Sequence, residues 1–220
     1  MSSQPGLSKQ RVYLIRHGEV HNPQHVVYAD LPGFSLSERG SAQAEATADR
    51  LEPVSLAAVV SSPLERAVQT AAAVAQRHGL EVTIDEELTE WRMADRWAGI
   101  VWEDLVAARP GELEAYLEHP HELPFATESL DDLATRVGAT VRRYGSQGEA
   151  IAVVSHQDPI QAGRFRLTGK SWEGYQSDKP AHASIIEIEQ DDDSYVERSY
   201  WEPEQGEPFP PSLRRSPENP

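Results

Sequence analysis

Two histidines in this chain stand at the ends of apolar runs. Arg11 to Ile15 (Arg-Val-Tyr-Leu-Ile) is short, β-branched and aromatic, as a buried strand is, and it leads directly into Arg16-His17-Gly18-Glu19. Ile151 to Val154 is apolar throughout and leads into Ser155-His156. Ligands of open α/β sheets bind beyond the carboxyl ends of the strands, so neighbouring strands here would bring His17 and His156 to one edge. A third run, Ala57 to Ser61, is followed by Ser62-Pro63, which reads as an N-cap and a first-turn proline. The helix it opens would turn Arg66 toward the same edge. Two guanidinium groups and two imidazoles around one point suit phosphoryl transfer. Arginine forks match phosphoryl oxygens, and a neutral imidazole can attack phosphorus to give a covalent intermediate. The reaction also needs an acid for the departing oxygen. Glu90, between a strand-like stretch and the ring pair Trp91 and Trp97, is the carboxyl placed for desolvation and a raised pKa.

The rest of the chain supplies the elements that must hold these residues. Ser37 reads as the N-cap of an Ala-rich helix running to about Leu51, which Pro53 closes, and a second helix is expected from Leu64 to about Arg77, ended by Gly79. Glu81 to Ile84 alternates like a strand, and Leu88 to Gly99 reads as an irregular loop. Leu130, Leu133, Val137, Val141 and Tyr144 recur at helical spacing from a start near Ser129, and Gly145 and Gly148 release the chain. Ala183 to Glu189 and Tyr195 to Tyr200 alternate as later or edge strands. Strands alternating with helices predict an α/β fold: a three-layer sandwich with a mainly parallel central sheet covered by helices on both faces. The organisation expected is a flexible start over residues 1–10, one domain over residues 11–201, and a Pro-rich acidic tail without structure over residues 202–220.

Composition narrows the function classes. The 36 Asp and Glu against 20 Lys and Arg give a formal charge of -16, a field that repels nucleic acid and anionic membranes. A phosphate-handling site in such a chain must concentrate positive charge locally. No apolar run approaches the roughly 20 residues of a membrane span, and the polar start lacks a secretory core, so a cytoplasmic location is expected. Cysteine is absent, which excludes thiolate metal sites. His21, His25, His78, His119, His121 and His182 show no metal-binding spacing and read as surface or loop residues; no metal and no other cofactor is expected. Trp91, Trp97 and Trp102 read as core filling or pocket lining, and Arg92 and Arg96 as within reach of an anionic substrate, although loop arginines of an acidic protein are usually solvated or paired with nearby carboxylates.

In four motifs taken in chain order, the sequence resembles the histidine phosphatase superfamily, also called phosphoglycerate mutase-like. "YLIRHGEV" is similar to the signature whose histidine accepts the phosphoryl group, which implies His17 as nucleophile and Arg16 as phosphate ligand. "SSPLERAVQT" resembles the second motif and implies Arg66 as a phosphate ligand. Glu90 falls at the place of the proton donor, and "VVSHQDPI" resembles the last motif, with His156 as the second histidine. "YADLPGFSLSERG" and "TESLDDLATR" resemble connecting segments, so the likeness runs from about Arg11 to Glu189. Four departures stand out. Val20 replaces a hydroxyl residue; Asn22, assigned here as a further phosphate ligand, is one place short of the usual asparagine; Gln157 replaces a glycine; and Ala98-Gly99 replaces Glu-Gly in a loop about one residue longer. The function implied is hydrolysis of a small phosphomonoester through phospho-His17. The alternatives are a phosphoglycerate mutase, disfavoured by the short stretch from Glu90 to His156, and a non-catalytic phosphate-binding protein on the same fold. The expected partner is a small phosphorylated molecule, not nucleic acid or membrane, and no oligomeric state is assigned.

Overall fold

The computed structural model describes residues 9–145 and 150–203. Six strands, β1 (Arg11–Arg16), β2 (Leu56–Ser61), β3 (Val82–Ile84), β4 (Ala150–Ser155), β5 (Ile185–Asp191) and β6 (Ser194–Trp201), form one sheet in the order β3-β2-β4-β1-β5-β6. The pairings β2–β3, β2–β4 and β1–β4 are parallel, and β5 runs antiparallel to both β1 and β6. The sheet is thus mixed but mainly parallel, as expected.

Side chains alternate across the central strands and build two cores. Tyr13, Ile15, Val59, Ala152 and Val154 pack against α1 (Glu38–Leu51) and α2 (Glu65–His78). Val12, Leu14, Val60, Ile151 and Val153 pack on the opposite face beneath α5 (Leu130–Gly145) and α6 (Gln157–Thr168). Between β3 and α5 the chain makes short 3-10 turns and two small helices, α3 (Leu105–Ala108) and α4 (Glu112–Glu118). These short helices carry no sustained period, and none was expected there. Helix α6 was also not anticipated. It is buried nearly all round, from Pro159 through Phe165, so the one-sided pattern that marks an amphipathic helix is missing.

Ser62-Pro63 is not the helix start that the sequence suggested. The Ser62 N–H donates to the Val154 carbonyl at 3.0 Å, which prolongs the extended chain beyond β2. The N-cap position falls to Leu64, which makes no side-chain cap, and α2 begins at Glu65. Arg66 still lies in the first turn. Residues 1–8, Gly148 and residues 204–220, including nearly all of the expected tail, lie outside the described residues. Gln10, placed in the expected flexible start, is buried, and Tyr195 Oη donates to its Oε1 at 2.8 Å.

The loop after β1 is fastened by both helices on its face. Ser37 caps α1 by accepting from the Gly40 N–H at 2.9 Å, and its own hydroxyl donates to Glu19 Oε1 at 2.8 Å. Thr70 of α2 accepts from the Gly18 N–H at 3.1 Å. The approach is close enough that a Cβ on Gly40 would lie 1.9 Å from the Glu19 carbonyl oxygen. Gly40→Ala must push the two segments apart, and it is expected to lower stability by about 2 kcal/mol, read as a lower midpoint of urea unfolding at unchanged slope.

Candidate active site

The end of β1 places His17 in the interior. Its backbone N–H donates to the Ser155 carbonyl at 2.9 Å, continuing the β1–β4 ladder, and its side chain is 1% exposed. Nδ1 lies 2.7 Å from the carbonyl oxygen of Gly18. Only a protonated Nδ1 makes a hydrogen bond there, so the lone pair of the neutral ring resides on Nε2. Burial, and then the nearby charge of Arg66, holds the His17 pKa well below its usual value. The ring is therefore uncharged at neutral pH.

His156, fully buried at the end of β4, packs edge to face on His17 with ring centroids 5.1 Å apart. Its Nε2 is 2.7 Å from Ser62 Oγ. That oxygen also accepts the Leu64 N–H at 3.3 Å, so the backbone after β2 holds it against the ring. Ser62, which looked like a helix cap, thus orients the ring of the second histidine. Ser62→Ala is expected to lower kcat about tenfold by releasing this constraint, with the urea midpoint serving as the control for folding.

Arginines complete the cluster. Arg66 donates to the Ala29 carbonyl at 2.6 Å and lies over the Tyr28 ring at 4.6 Å. Ala29 adopts a left-handed backbone, with φ of 37°, in the turn that offers this carbonyl. Arg16 donates to the Pro180 carbonyl at 2.8 Å and to His182 Nε2 at 2.9 Å. The Nε atoms of both arginines and Nδ1 of His156 are buried without a protein partner. An unpaired buried donor costs about 1–3 kcal/mol, and the oxygens of a bound anion remove that cost.

Glu90 enters from the other side of the site. Arg136 of α5 clamps its segment, donating to the carbonyls of Thr89 and Glu90 at 3.0 Å each and to Glu128 at 2.6 Å. Glu128 in turn accepts the Arg92 N–H at 3.1 Å, and its carbonyl accepts Trp91 Nε1 at 2.9 Å. The Glu90 carboxyl accepts the Trp91 N–H at 2.8 Å. Its pKa is raised to about 7, first by burial and next by the charge of Asp158, against the lowering effect of the Trp91 N–H, Arg66 and Arg16. Asp158 is held by Lys179 at 2.6 Å and by the hydroxyls of Tyr116 and Tyr175 at 3.0 and 2.9 Å. Asp158→Asn removes the repulsion and is expected to move the Glu90 titration to lower pH, observable by carboxyl NMR.

A cavity of about 840 Å³ opens over these groups, lined by Arg16, His17, Asn22, Glu90, Asp158 and His182 among others. Arg66 and His156 form the layer behind Tyr28 and His17. The structure thus brings together Arg16, His17, Arg66, Glu90 and His156. Asn22 lines the cavity too, but its amide braces its own loop: Nδ2 donates to the Val26 carbonyl at 2.8 Å and Oδ1 accepts the Val26 N–H at 3.2 Å. His182, read from the sequence as a surface or loop residue, does lie in the turn before β5, but it is half-buried and lines the cavity with its ring 5.7 Å from that of His17. Its pKa falls well below the usual value through burial and then Arg16. Being neutral, it accepts from Arg16 and aims that guanidinium. Trp91 is core, Trp97 is core that also borders the cavity, and Trp102 lines it; Arg96 is paired with Glu112 at 2.7 Å.

A family model for the histidine phosphatase superfamily (branch 1) matches residues 12–202. The chain belongs to this superfamily. A Mycobacterium tuberculosis member, Rv0525, is 39% identical over 197 residues, covering 88% of this chain and 96% of that protein. Phosphoserine phosphatase 1 of Hydrogenobacter thermophilus is 29% identical over 187 residues, covering 82% of this chain and 87% of its own. Among solved structures of the superfamily, the mycobacterial glucosyl-3-phosphoglycerate phosphatase Rv2419c superposes with a TM-score of 0.73 at 27% identity, covering 82% of this chain and 90% of that one. The superfamily relatives thus include phosphatases, and the sandwich with its mainly parallel sheet is the fold they share. Among the described residues no helix is long and apolar enough to cross a membrane.

Proposed function

We propose that the protein is a phosphomonoesterase that carries the phosphoryl group on Nε2 of His17. The observation that supports this most directly is the hydrogen bond from His17 Nδ1 to the Gly18 carbonyl at 2.7 Å, in a buried ring kept neutral by its surroundings. The lone pair of Nε2 attacks phosphorus as the ester P–O bond breaks, and Glu90 gives its proton to the departing alkoxide. Arg16, Arg66 and Nδ1–H of His156 hold the three equatorial oxygens. Water then attacks the phosphoryl group, Glu90 as carboxylate takes its proton, the P–N bond breaks, and inorganic phosphate leaves. Asn22 contributes to the phosphate rim through its loop.

The test is to trap the intermediate. With a substrate bearing labelled phosphate, acid quenching after milliseconds is avoided and the protein is denatured in base. Label retained in base and lost in acid identifies phosphohistidine. Label that is stable in acid, or absent under every quench, overturns the assignment. Hydrolysis is favoured over mutase chemistry by the small size of the segment between Glu90 and α5, which holds only short turns, α3 and α4. Incubation with 3-phosphoglycerate and a trace of bisphosphoglycerate separates the two, because a mutase rearranges that substrate without releasing phosphate.

A further inference from the structure

The cavity extends well beyond the space a phosphoryl group needs, and what lines the remainder constrains the alcohol to which that phosphoryl group is attached. At about 840 Å³ it has the volume of sites that enclose a whole drug-sized ligand. Val20, Val26, Val27, Met93, Trp97 and Trp102 supply an apolar wall. Four carboxyl groups, Glu19, Glu90, Glu103 and Asp158, also face this space.

Positive charge outside the phosphate cluster is already balanced. Arg39 lies 3.2 Å from Glu19, and Lys179, just behind the cavity, lies 2.6 Å from Asp158. Arg16 is aimed into the phosphate site by Pro180 and His182, and His182 is itself neutral. A carboxylate on the alcohol part would have to displace one of these paired carboxylates or sit unpaired beside them, and either is costly in a partly desolvated site.

Resting on the phosphatase reading above, we infer that the leaving alcohol is bulky, apolar and free of negative charge, an aryl- or nucleoside-sized group. Substrates whose alcohol carries a carboxylate, as serine and glycerate do, are disfavoured. The stacking surface of Trp102 and the methyl groups of Val26 and Val27 receive the alcohol, while the engagement of Arg39 with Glu19 and of Lys179 with Asp158 denies an acidic competitor a ready partner.

Calorimetric titration of the full chain with three phosphonates tests this without turnover. In each of them a methylene replaces the ester oxygen: 3-phenylpropylphosphonate, propylphosphonate and 2-amino-4-phosphonobutanoate, the counterpart of phosphoserine. The phenyl compound is expected to bind about 30-fold tighter than the propyl compound, the value of burying one ring. The amino acid compound should bind no tighter than the propyl one, and Trp102→Ala should cut the phenyl-to-propyl ratio to less than about tenfold. Equal binding of phenyl and propyl compounds, or tightest binding of the amino acid, overturns the inference. Phosphate release from 2-phenylethyl phosphate is measured in parallel. Its absence sinks the hydrolase reading, whereas the order of phosphonate affinities judges the pocket separately.

Discussion

His17→Ala is expected to lower the rate of phosphomonoester hydrolysis by about 10⁵-fold and to abolish the labelled phosphoprotein altogether. No other side chain can take over. His156 is fully buried, with Nε2 committed to Ser62 at 2.7 Å, and His182 Nε2 is committed to Arg16 at 2.9 Å. The arginines and His156 remain in the variant, so it should still bind inorganic phosphate. Retained anion binding with lost turnover is the pattern that distinguishes removal of a nucleophile from collapse of the site. Phosphate release equal to that of the unmodified protein would rule out His17 as the acceptor.

Glu90→Gln is expected to reduce kcat by about 10³-fold on alkyl phosphates, whose leaving oxygen needs a proton. The effect on pH dependence is as diagnostic as the magnitude. Glu90 must be protonated to act as the acid, and its pKa lies at about 7. In the unmodified protein kcat/KM therefore holds below that value and falls as pH rises through it, and in the variant this alkaline limb disappears. With p-nitrophenyl phosphate the leaving group departs without help, so the variant should release nitrophenolate in a burst equal to the enzyme present and then slow as the phosphoenzyme waits for a base. A variant that kept the alkaline limb, or showed no burst, would move the acid-base role to another group.

Four of the five central residues were legible in the sequence because each is tied to a regular element, whereas Glu90 lies in the irregular stretch after β3 and was marked by its neighbours Trp91 and Trp97. His17 and His156 end strands whose apolar character is unambiguous, and the parallel pairing of Arg16 with Ser155 places them side by side. Arg66 survives the misreading of Ser62-Pro63 because the helix start shifts by less than a turn. What stayed hidden depends on pairings that no local pattern encodes. His182 precedes β5 in a turn where Ala183, at φ of 56°, donates its N–H to the His17 carbonyl at 3.1 Å. Since β5 runs antiparallel to β1, its first residues must lie at the end of β1, but the direction of that strand is not written in its alternation. Arg136 and Asp158 act on Glu90 across gaps of 46 and 68 positions, and their helical context marks them only as polar residues in a first turn or on a helix flank.

The neighbouring register of β1 and β4 has a consequence for how such proteins diversify. The spacing of the two imidazoles is set by one step between hydrogen-bonded strands, and the long excursion of chain that separates them in sequence has no say in it. The stretch from the Arg136-clamped Glu90 to the start of α5 therefore contributes nothing to the spacing of the two rings. A chimera carrying a relative's residues between Arg92 and Thr127, which include Met93, Trp97 and Trp102 of the cavity wall, should shift the choice of alcohol toward the donor's and keep the recipient's intermediate, so that selectivity and reactivity become separately adjustable traits of one sheet.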